Sequence, residues 1–346
     1  MTASDSEFQQ PVFEAQADLS KQMRVFMLGA TGTIGRATLQ TLIDHGHNVT
    51  CFLRRKTEAT SNSDLIFEHP LVTLRYGDVT DAKSLSDDGF GHENFDIIIS
   101  CLASRTGVPR DAWAIDYQAH CNILQAANNS GVKQFILLSA LCVQKPRLEF
   151  QHAKLKFEQE LIASGLIYSI IRPTAFFKSL SGQVERVKTG KSFLIFNGGR
   201  LTACKPISDR DLAAFIVKCL SDRNHWNKIL PIGGPGPAIA PLDQGNYLFL
   251  NLQQKLKFKS VPLWFFKAII AILAFGGRFH SRLADQAELA RIGYYYATES
   301  MLVLNPETGR YDETLTPSTG QDTLFGHYDQ LIRGEIHHER GEHSVF

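Results

Sequence analysis

The stretch Gly29-Ala30-Thr31-Gly32-Thr33-Ile34-Gly35 constrains this chain more than any other. Before it runs Arg24 to Leu28, an apolar segment with the length of a buried strand; after it, Arg36 to His45 carries Ala37, Leu39, Leu42 and Ile43 at helical spacing. Glycines between a strand and a helix permit a tight turn. They also let the backbone approach a pyrophosphate, whose charge meets unpaired N–H groups and the positive end of the helix dipole. The spacing Gly-x-x-Gly-x-x-Gly departs from the commoner Gly-x-Gly-x-x-Gly, so the pattern takes its weight from the strand and helix around it. Gly29, Thr31, Gly32, Thr33, Ile34 and Gly35 are the candidate contacts to a dinucleotide.

The chain continues in the same rhythm. A second strand, Asn48 to Leu53, ends in Arg54, Arg55 and Lys56. An Asp or Glu at this place bonds a ribose 2′-hydroxyl, whereas arginine accommodates a 2′-phosphate, so NADPH is expected over NADH. A third strand, Leu71 to Arg75, runs into Asp78 and Val79, placed to face the adenine. A fourth, Asp96 to Ser100, leads to Cys101, Leu102 and Ala103, small enough for a ligand to lie against the strand's carboxyl end. A helical pattern over Ala112 to Asn129 precedes the fifth strand, Gln134 to Ser139, and a helix from near Glu149 precedes the sixth, Tyr168 to Arg172, which breaks at Pro173 and Thr174. Such alternation predicts an α/β, doubly wound parallel sheet, Rossmann-like.

After Pro173 the alternation decays. Residues 23–232 read as the dinucleotide domain, with an insert at 174–206 rich in Phe, Gly and Lys; Ile207 to Leu220 is a capped helix and Lys228 to Ile232 a last strand. Gly233-Gly234-Pro235-Gly236-Pro237 marks a boundary before 233–326, a smaller, mostly helical C-terminal substrate-binding region. Residues 1–22 and 327–346 read as flexible tails, the second charged and without an apolar face. Within the helical region, Val261 to Gly277 is the most apolar stretch of the chain; it is at the short limit for crossing a bilayer and reads as the wall of a pocket or as a helix in peripheral membrane contact.

Composition excludes several classes. Among 346 residues the net charge is +1, which gives no reason to expect nucleic acid as partner. Six cysteines occur without any Cys-x-x-Cys pair, against zinc, iron–sulfur and redox-disulfide sites and for reduced thiols in a cytoplasmic protein. The first 22 residues carry Asp5, Glu7, Glu14 and Asp18 before Lys21, the wrong charge for a signal or transit peptide. His337, His338 and His343 are not assigned a functional metal site.

The glycine turn, together with Leu138-Ser139-Ala140, resembles the atypical short-chain dehydrogenase/reductases of the NmrA-like, isoflavone-reductase-like kind. Longer strings narrow this: Glu149-Phe150-Gln151-His152-Ala153-Lys154-Leu155-Lys156-Phe157-Glu158, Arg172-Pro173-Thr174-Ala175-Phe176-Phe177-Lys178-Ser179-Leu180 and Leu230-Pro231-Ile232-Gly233-Gly234-Pro235-Gly236 resemble the NADPH-dependent divinyl chlorophyllide 8-vinyl reductases. The resemblance reaches to about Phe325 and, without a transit peptide, implies a bacterial phototroph as the source. It implies reduction of the 8-vinyl group of a divinyl chlorophyllide, or of its protochlorophyllide precursor, to ethyl. Such a Mg-tetrapyrrole needs an apolar slot with a basic group at one edge. Phe176, Phe177, Phe193, Phe196, Trp264, Phe265 and Phe266 are candidate walls, Arg172, Lys178 and Lys191 candidate carboxylate partners, and His152 a candidate ligand of the substrate's Mg²⁺. Membrane-bound photosystems as the destination of the product give the apolar helix a reason to touch a membrane.

One position shapes the chemistry. Ketone-reducing members of this group carry Tyr-x-x-x-Lys, in which lysine lowers the tyrosine pKa for proton donation. Here Phe150 stands four residues before Lys154, and phenylalanine donates no proton. Vinyl reduction is less demanding, because charge on the inner vinyl carbon delocalises into the macrocycle and takes its proton from water or a nearby group. Lys154 is then expected to bind the nicotinamide ribose, Phe150 to pack beside the nicotinamide or substrate, and Tyr168 or Tyr117 to be at most a weak acid. The alternatives are a non-catalytic NADP-binding NmrA-like sensor or photosystem-assembly factor, and a reductase or epimerase of another apolar substrate.

Overall fold

A computed structural model describes residues 22–55 and 65–336. Lys56, the tail 1–21 and the histidines His337, His338 and His343 lie outside the described residues.

Strand β1 (Arg24–Leu28) is buried from Val25 on, and β2 (Asn48–Arg54), β3 (Val72–Gly77), β4 (Ile97–Ser100), β5 (Gln134–Leu138) and β6 (Ile167–Pro173) follow. After β7 (Phe193–Phe196) comes β8 (Lys228–Ile232), and the seven-stranded sheet has the order β3-β2-β1-β4-β5-β6-β8, every pairing in it parallel. Near-continuous Val/Ile/Leu/Phe runs suit strands covered on both faces. On one face α1 (Thr33–Asp44) contributes Leu39, Leu42 and Ile43 to a core shared with Leu212 and Ile216. On the other, a helical run over 109–129 packs Ile123, Leu124 and Ala127 against Phe26, Phe135 and Ile170; it comprises Pro109–Ala112, a π-helical segment Trp113–Ala119, and α2 (His120–Asn129). Helix α3 (Glu149–Ala163) joins the same layer through Phe157 and Leu161, and α4 (Asp209–Lys218) opens with Ser208 accepting from the Asp211 N–H at 3.0 Å.

A second core lies beyond the sheet. The insert's β7 pairs in parallel with β9 (Phe258–Val261), and Phe177, Phe193 and Ile195 pack with Leu248 and Phe249 of α5 (Pro241–Asn251). The helical hairpin α6 (Leu263–Gly276) and α7 (Ser281–Thr298) follows, and α8 (Leu324–Arg333) closes the core with Leu324, Tyr328 and Leu331. The expectation that the chain from His327 lacks an apolar face is therefore corrected: Tyr328 is fully buried, its hydroxyl donating to the Leu180 carbonyl at 2.8 Å. Leu324, Tyr328 and Leu331 recur at helical spacing, a face that the charged stretch after Leu331 obscured.

Candidate active site

The strand order reverses between β1 and β4, the point at which open α/β sheets bind ligands. Here Gly29 has φ +76°, and a Cβ on it would lie 2.5 Å from the Cys101 carbonyl carbon, so only glycine fits between the carboxyl ends of the two strands. A Cβ on Gly35 would lie 2.0 Å from the Gly29 oxygen. Gly32 differs: a Cβ there would meet only the Gly29 oxygen, at 3.5 Å, so nothing within the protein demands glycine at that position. Gly32 is the N-cap of α1 and supplies no capping side chain, which leaves the first N–H groups of the helix without a side-chain partner. Thr31, Gly32 and Thr33 are exposed and Ile34 buried beneath them, a cradle suited to a pyrophosphate. Lys178 Nζ reaches across from the insert to Thr33 Oγ1 at 3.2 Å. That lysine therefore stands at the mouth of the glycine turn.

Along the β2–β3 edge a cleft of about 540 Å³ is lined by Arg54, Arg55, Asp78, Lys83 and Asp88 among others. Arg55 is ion-paired to Asp88 at 2.8 Å, whereas Arg54 has no such pair among the described residues. Asp78 accepts from the Thr80 N–H at 2.8 Å and Val79 is buried, so this turn is set by its own hydrogen bonds. Across the switch point the Cys101 N–H donates to the Leu28 carbonyl at 3.0 Å, and Leu102 and Ala103 follow along the strand ends. Burial pushes the Cys101 thiol up to about 12, which leaves it neutral.

Lys154 has a partner that the sequence did not reveal. Its Nζ lies 2.9 Å from Oδ1 of Asp116, which is fully buried in the π-helical segment and also accepts from the Ser104 N–H at 3.1 Å. The other oxygen, Oδ2, is buried with no hydrogen-bond partner among the described residues. His120 holds this segment in place, its Nδ1 donating to the Ile115 carbonyl at 2.8 Å while Nε2 accepts from Ser100 Oγ at 2.9 Å. Burial lowers its imidazole to about 4, so it is neutral near pH 7. The only available cue to Asp116 was an acid on the apolar side of the 112–129 helix, 38 residues from Lys154.

Phe150 packs beneath Gly107 and beside Ile292 of α7, within a cluster that includes Ala112, Ala153 and Tyr295. Pro173 and Thr174 sit at the carboxyl end of β6, the Thr174 N–H donating to the Ile232 carbonyl at 3.0 Å. Phe176 is half-buried at the same edge, and His152 is exposed.

Several expected roles are corrected. Tyr168 pairs with Phe135 at the amino end of β6, five residues before Pro173. That is ~16 Å along a strand from the ligand edge, which removes it as an acid. Arg172 is committed to buried Glu158, whose Oε1 also accepts from Ser139 Oγ at 2.5 Å, so neither Arg172 nor Ser139 is free in the manner expected. Phe177 and Phe193 belong to the second core and are not slot walls. Tyr117 directs its hydroxyl to Glu160 at 3.5 Å.

Comparison with known proteins fits this geometry. Residues 29–223 match a family described as NAD(P)H-binding. The chain is 46% identical to a chloroplastic divinyl chlorophyllide a 8-vinyl-reductase of Oryza sativa subsp. indica, over 93% of this chain and 82% of that protein. A photosystem II assembly factor, Ycf39 of Synechocystis sp., is 25% identical over 61% of this chain and 63% of its own length. The crystal structure of an NADPH-dependent quinone oxidoreductase of Escherichia coli, complexed with NADPH, shares the fold with a TM-score of 0.64 at 17% identity, over 89% of this chain and 99% of that one.

Proposed function

We propose a function from one premise: the chain belongs to the divinyl chlorophyllide a 8-vinyl-reductase family. It is an NADPH-dependent oxidoreductase that reduces the 8-vinyl group of divinyl chlorophyllide a to an ethyl group, in chlorophyll biosynthesis. The observation that carries this is the reach of the match. The NAD(P)H-binding family covers residues 29–223, whereas the reductases match over 93% of the chain and so include the substrate side. The Ycf39 likeness is far weaker and extends over 61%, which disfavours a non-catalytic assembly role.

Bound NADPH supplies the hydride. In this reading Gly29, Thr31, Gly32, Thr33, Ile34 and Gly35 hold its pyrophosphate, Arg54 and Arg55 the 2′-phosphate, and Asp78 and Val79 flank the adenine. Cys101, Leu102, Ala103, Pro173 and Thr174 line the strand ends, and Lys154, held by Asp116, faces the nicotinamide ribose. Ser139 serves this wall through Glu158. Lys178, beside Thr33, is moved from the substrate to the pyrophosphate side. Phe150 and Phe176 are left to face substrate or nicotinamide. With Phe150 in the usual tyrosine place, the proton for the inner vinyl carbon comes from solvent or a nearby group. Residues 23–232 form the cofactor domain, and 174–206 with 233–326 form the substrate side. Peripheral membrane contact also belongs to the proposal and rests on α6.

Mixing the purified protein with NADPH and divinyl chlorophyllide should move the Soret band to shorter wavelength, because one conjugated double bond is lost, with one NADPH consumed per pigment. NADPH that binds without any shift of the band would leave a dinucleotide-binding protein and no reductase.

A further inference from the structure

Helix α6 reads Leu-Trp-Phe-Phe-Lys-Ala-Ile-Ile-Ala-Ile-Leu-Ala-Phe-Gly, with one charge and no buried residue. Its exposed apolar positions, Trp264, Phe265, Ala271, Ile272 and Phe275, fall on one side of the helix, with half-buried Ala268 between them, and form one stripe. Ile272 is 72% exposed and Phe275 65%, and Phe279, just past the helix end, 73%. A folded chain exposes an apolar surface of this size where something else covers it. The helix is not loosely attached: Lys267 Nζ lies 5.9 Å over the Tyr294 ring of α7, and the Phe266 and Phe196 rings are 5.2 Å apart. A Cβ on Gly277 would lie 2.9 Å from the Ala284 backbone, so the hairpin is tight.

Charge identifies the occupant. From Gln244 to Ala284 the chain holds no Asp or Glu, yet it holds Lys255, Lys257, Lys259, Lys267, Arg278 and Arg282, in a protein of net charge +1 overall. All six are exposed: Lys267 lies on α6 itself, Arg278 and Arg282 follow its carboxyl end, and Lys255, Lys257 and Lys259 lie in the segment that leads into it. A second copy docked by two-fold symmetry would set two such rims against each other. An anionic bilayer surface satisfies both the stripe and its rim. The helix is ~21 Å long, too short to cross a hydrocarbon core of ~30 Å, and no described helix is long and apolar enough to do so. We propose that α6 and Phe279 lie in the interface of a bilayer containing anionic lipid, with the basic rim at the headgroups. Helix α7 leaves this anchor, and its far half places Ile292 and Tyr295 beside Phe150. The anchor is thus one helix away from the candidate site. The inference rests on the peripheral membrane contact proposed above and adds its lipid and its seat on α6; it stands or falls apart from the reductase activity, which the flotation assay does not read.

The test is flotation of the full chain with vesicles of phosphatidylcholine, and of phosphatidylcholine with phosphatidylglycerol at about 2:1. The protein should float at least ~10-fold more tightly with the anionic vesicles, and less so as salt rises from ~0.1 to ~0.5 M. Ile272→Asp with Phe275→Asp should abolish flotation while NADPH affinity is kept; Lys259→Glu with Arg278→Glu should remove only the preference for anionic lipid. The proposal is overturned if the unaltered chain floats with neither vesicle, including the case in which it sediments as a dimer that Ile272→Asp splits. It is equally overturned if both pairs of substitutions float as the unaltered chain does. If the first pair also loses NADPH, the charge-reversal pair decides alone.

Discussion

At the scale of single residues the chemistry turns on Lys154 and Asp116, 2.9 Å apart, the aspartate fully buried. Removing one member of such a pair strands the other charge in low dielectric, a cost of about 3–5 kcal/mol. Lys154→Ala is therefore expected to lower the melting temperature and also to cut kcat/KM for NADPH by about 100-fold or more. Adding Asp116→Asn to it should recover much of the stability and none of the turnover. That split, read by thermal melting alongside steady-state kinetics, separates a lysine that acts on the cofactor from one that only neutralises an aspartate; near-normal turnover in Lys154→Ala would remove the role given to this helix. Phe150→Tyr should keep vinyl reduction within about threefold, under ~1 kcal/mol of barrier, since no tyrosine is needed there. Lys154 and Phe150 were legible in the sequence because both sit on one helix at a known spacing. Asp116, Glu158 and the Lys178–Thr33 contact were not, because each depends on chain segments brought together only by the sheet. Tyr168 misled for a related reason: sequence marks a strand but not where along it a ligand edge lies relative to each residue.

At the scale of elements the parallel sheet was the most legible feature, as each strand is a short apolar run bounded by polar or glycine residues and each run lies between helical patterns. The glycine turn shows how one motif divides its labour. Gly35→Ala would push a Cβ to 2.0 Å from the Gly29 oxygen, so it should destabilise the fold itself. Gly32→Ala meets its nearest atom at 3.5 Å, so the melting temperature of the cofactor-free protein should hold while NADPH binding weakens by about tenfold or more, ~1.4 kcal/mol. Calorimetry on both variants checks this, and equal loss of stability in the two would mean that the turn is only structural. At the β2 end, Arg54→Ala should raise the KM for NADPH by about tenfold and leave that for NADH unchanged, as expected of a lost charge-assisted bond to a 2′-phosphate. An equal rise for both cofactors would place that phosphate elsewhere.

At the scale of the whole molecule there are two cores, and the sequence disclosed only the first. The second is assembled from the insert, α5, β9 and α8, pieces far apart in the chain, as Phe177 and Leu331 are, and its aromatic residues carry no local sign of whether they fill a core or line a slot. Phe177 and Phe193 were placed in a slot because the implied substrate needs apolar walls, and Tyr328 was hidden by the charged stretch that follows it. Tyr328 now decides how much α8 contributes. It is fully buried, with its hydroxyl donating to the Leu180 carbonyl at 2.8 Å and lying 3.2 Å from Gln244 Oε1, while Phe325 and Tyr247 stack at 4.1 Å beside it. Tyr328→Phe loses hydrogen bonds but keeps the ring, and should cost about 1–3 kcal/mol in urea unfolding. Tyr328→Ala also opens a cavity, and should cost about 3–5 kcal/mol. Because Phe177 sits in this core and the next residue, Lys178, reaches Thr33, the alanine variant should also bind NADPH more weakly. A loss under ~1 kcal/mol in Tyr328→Ala would instead make α8 the dispensable appendage that its charged sequence suggested.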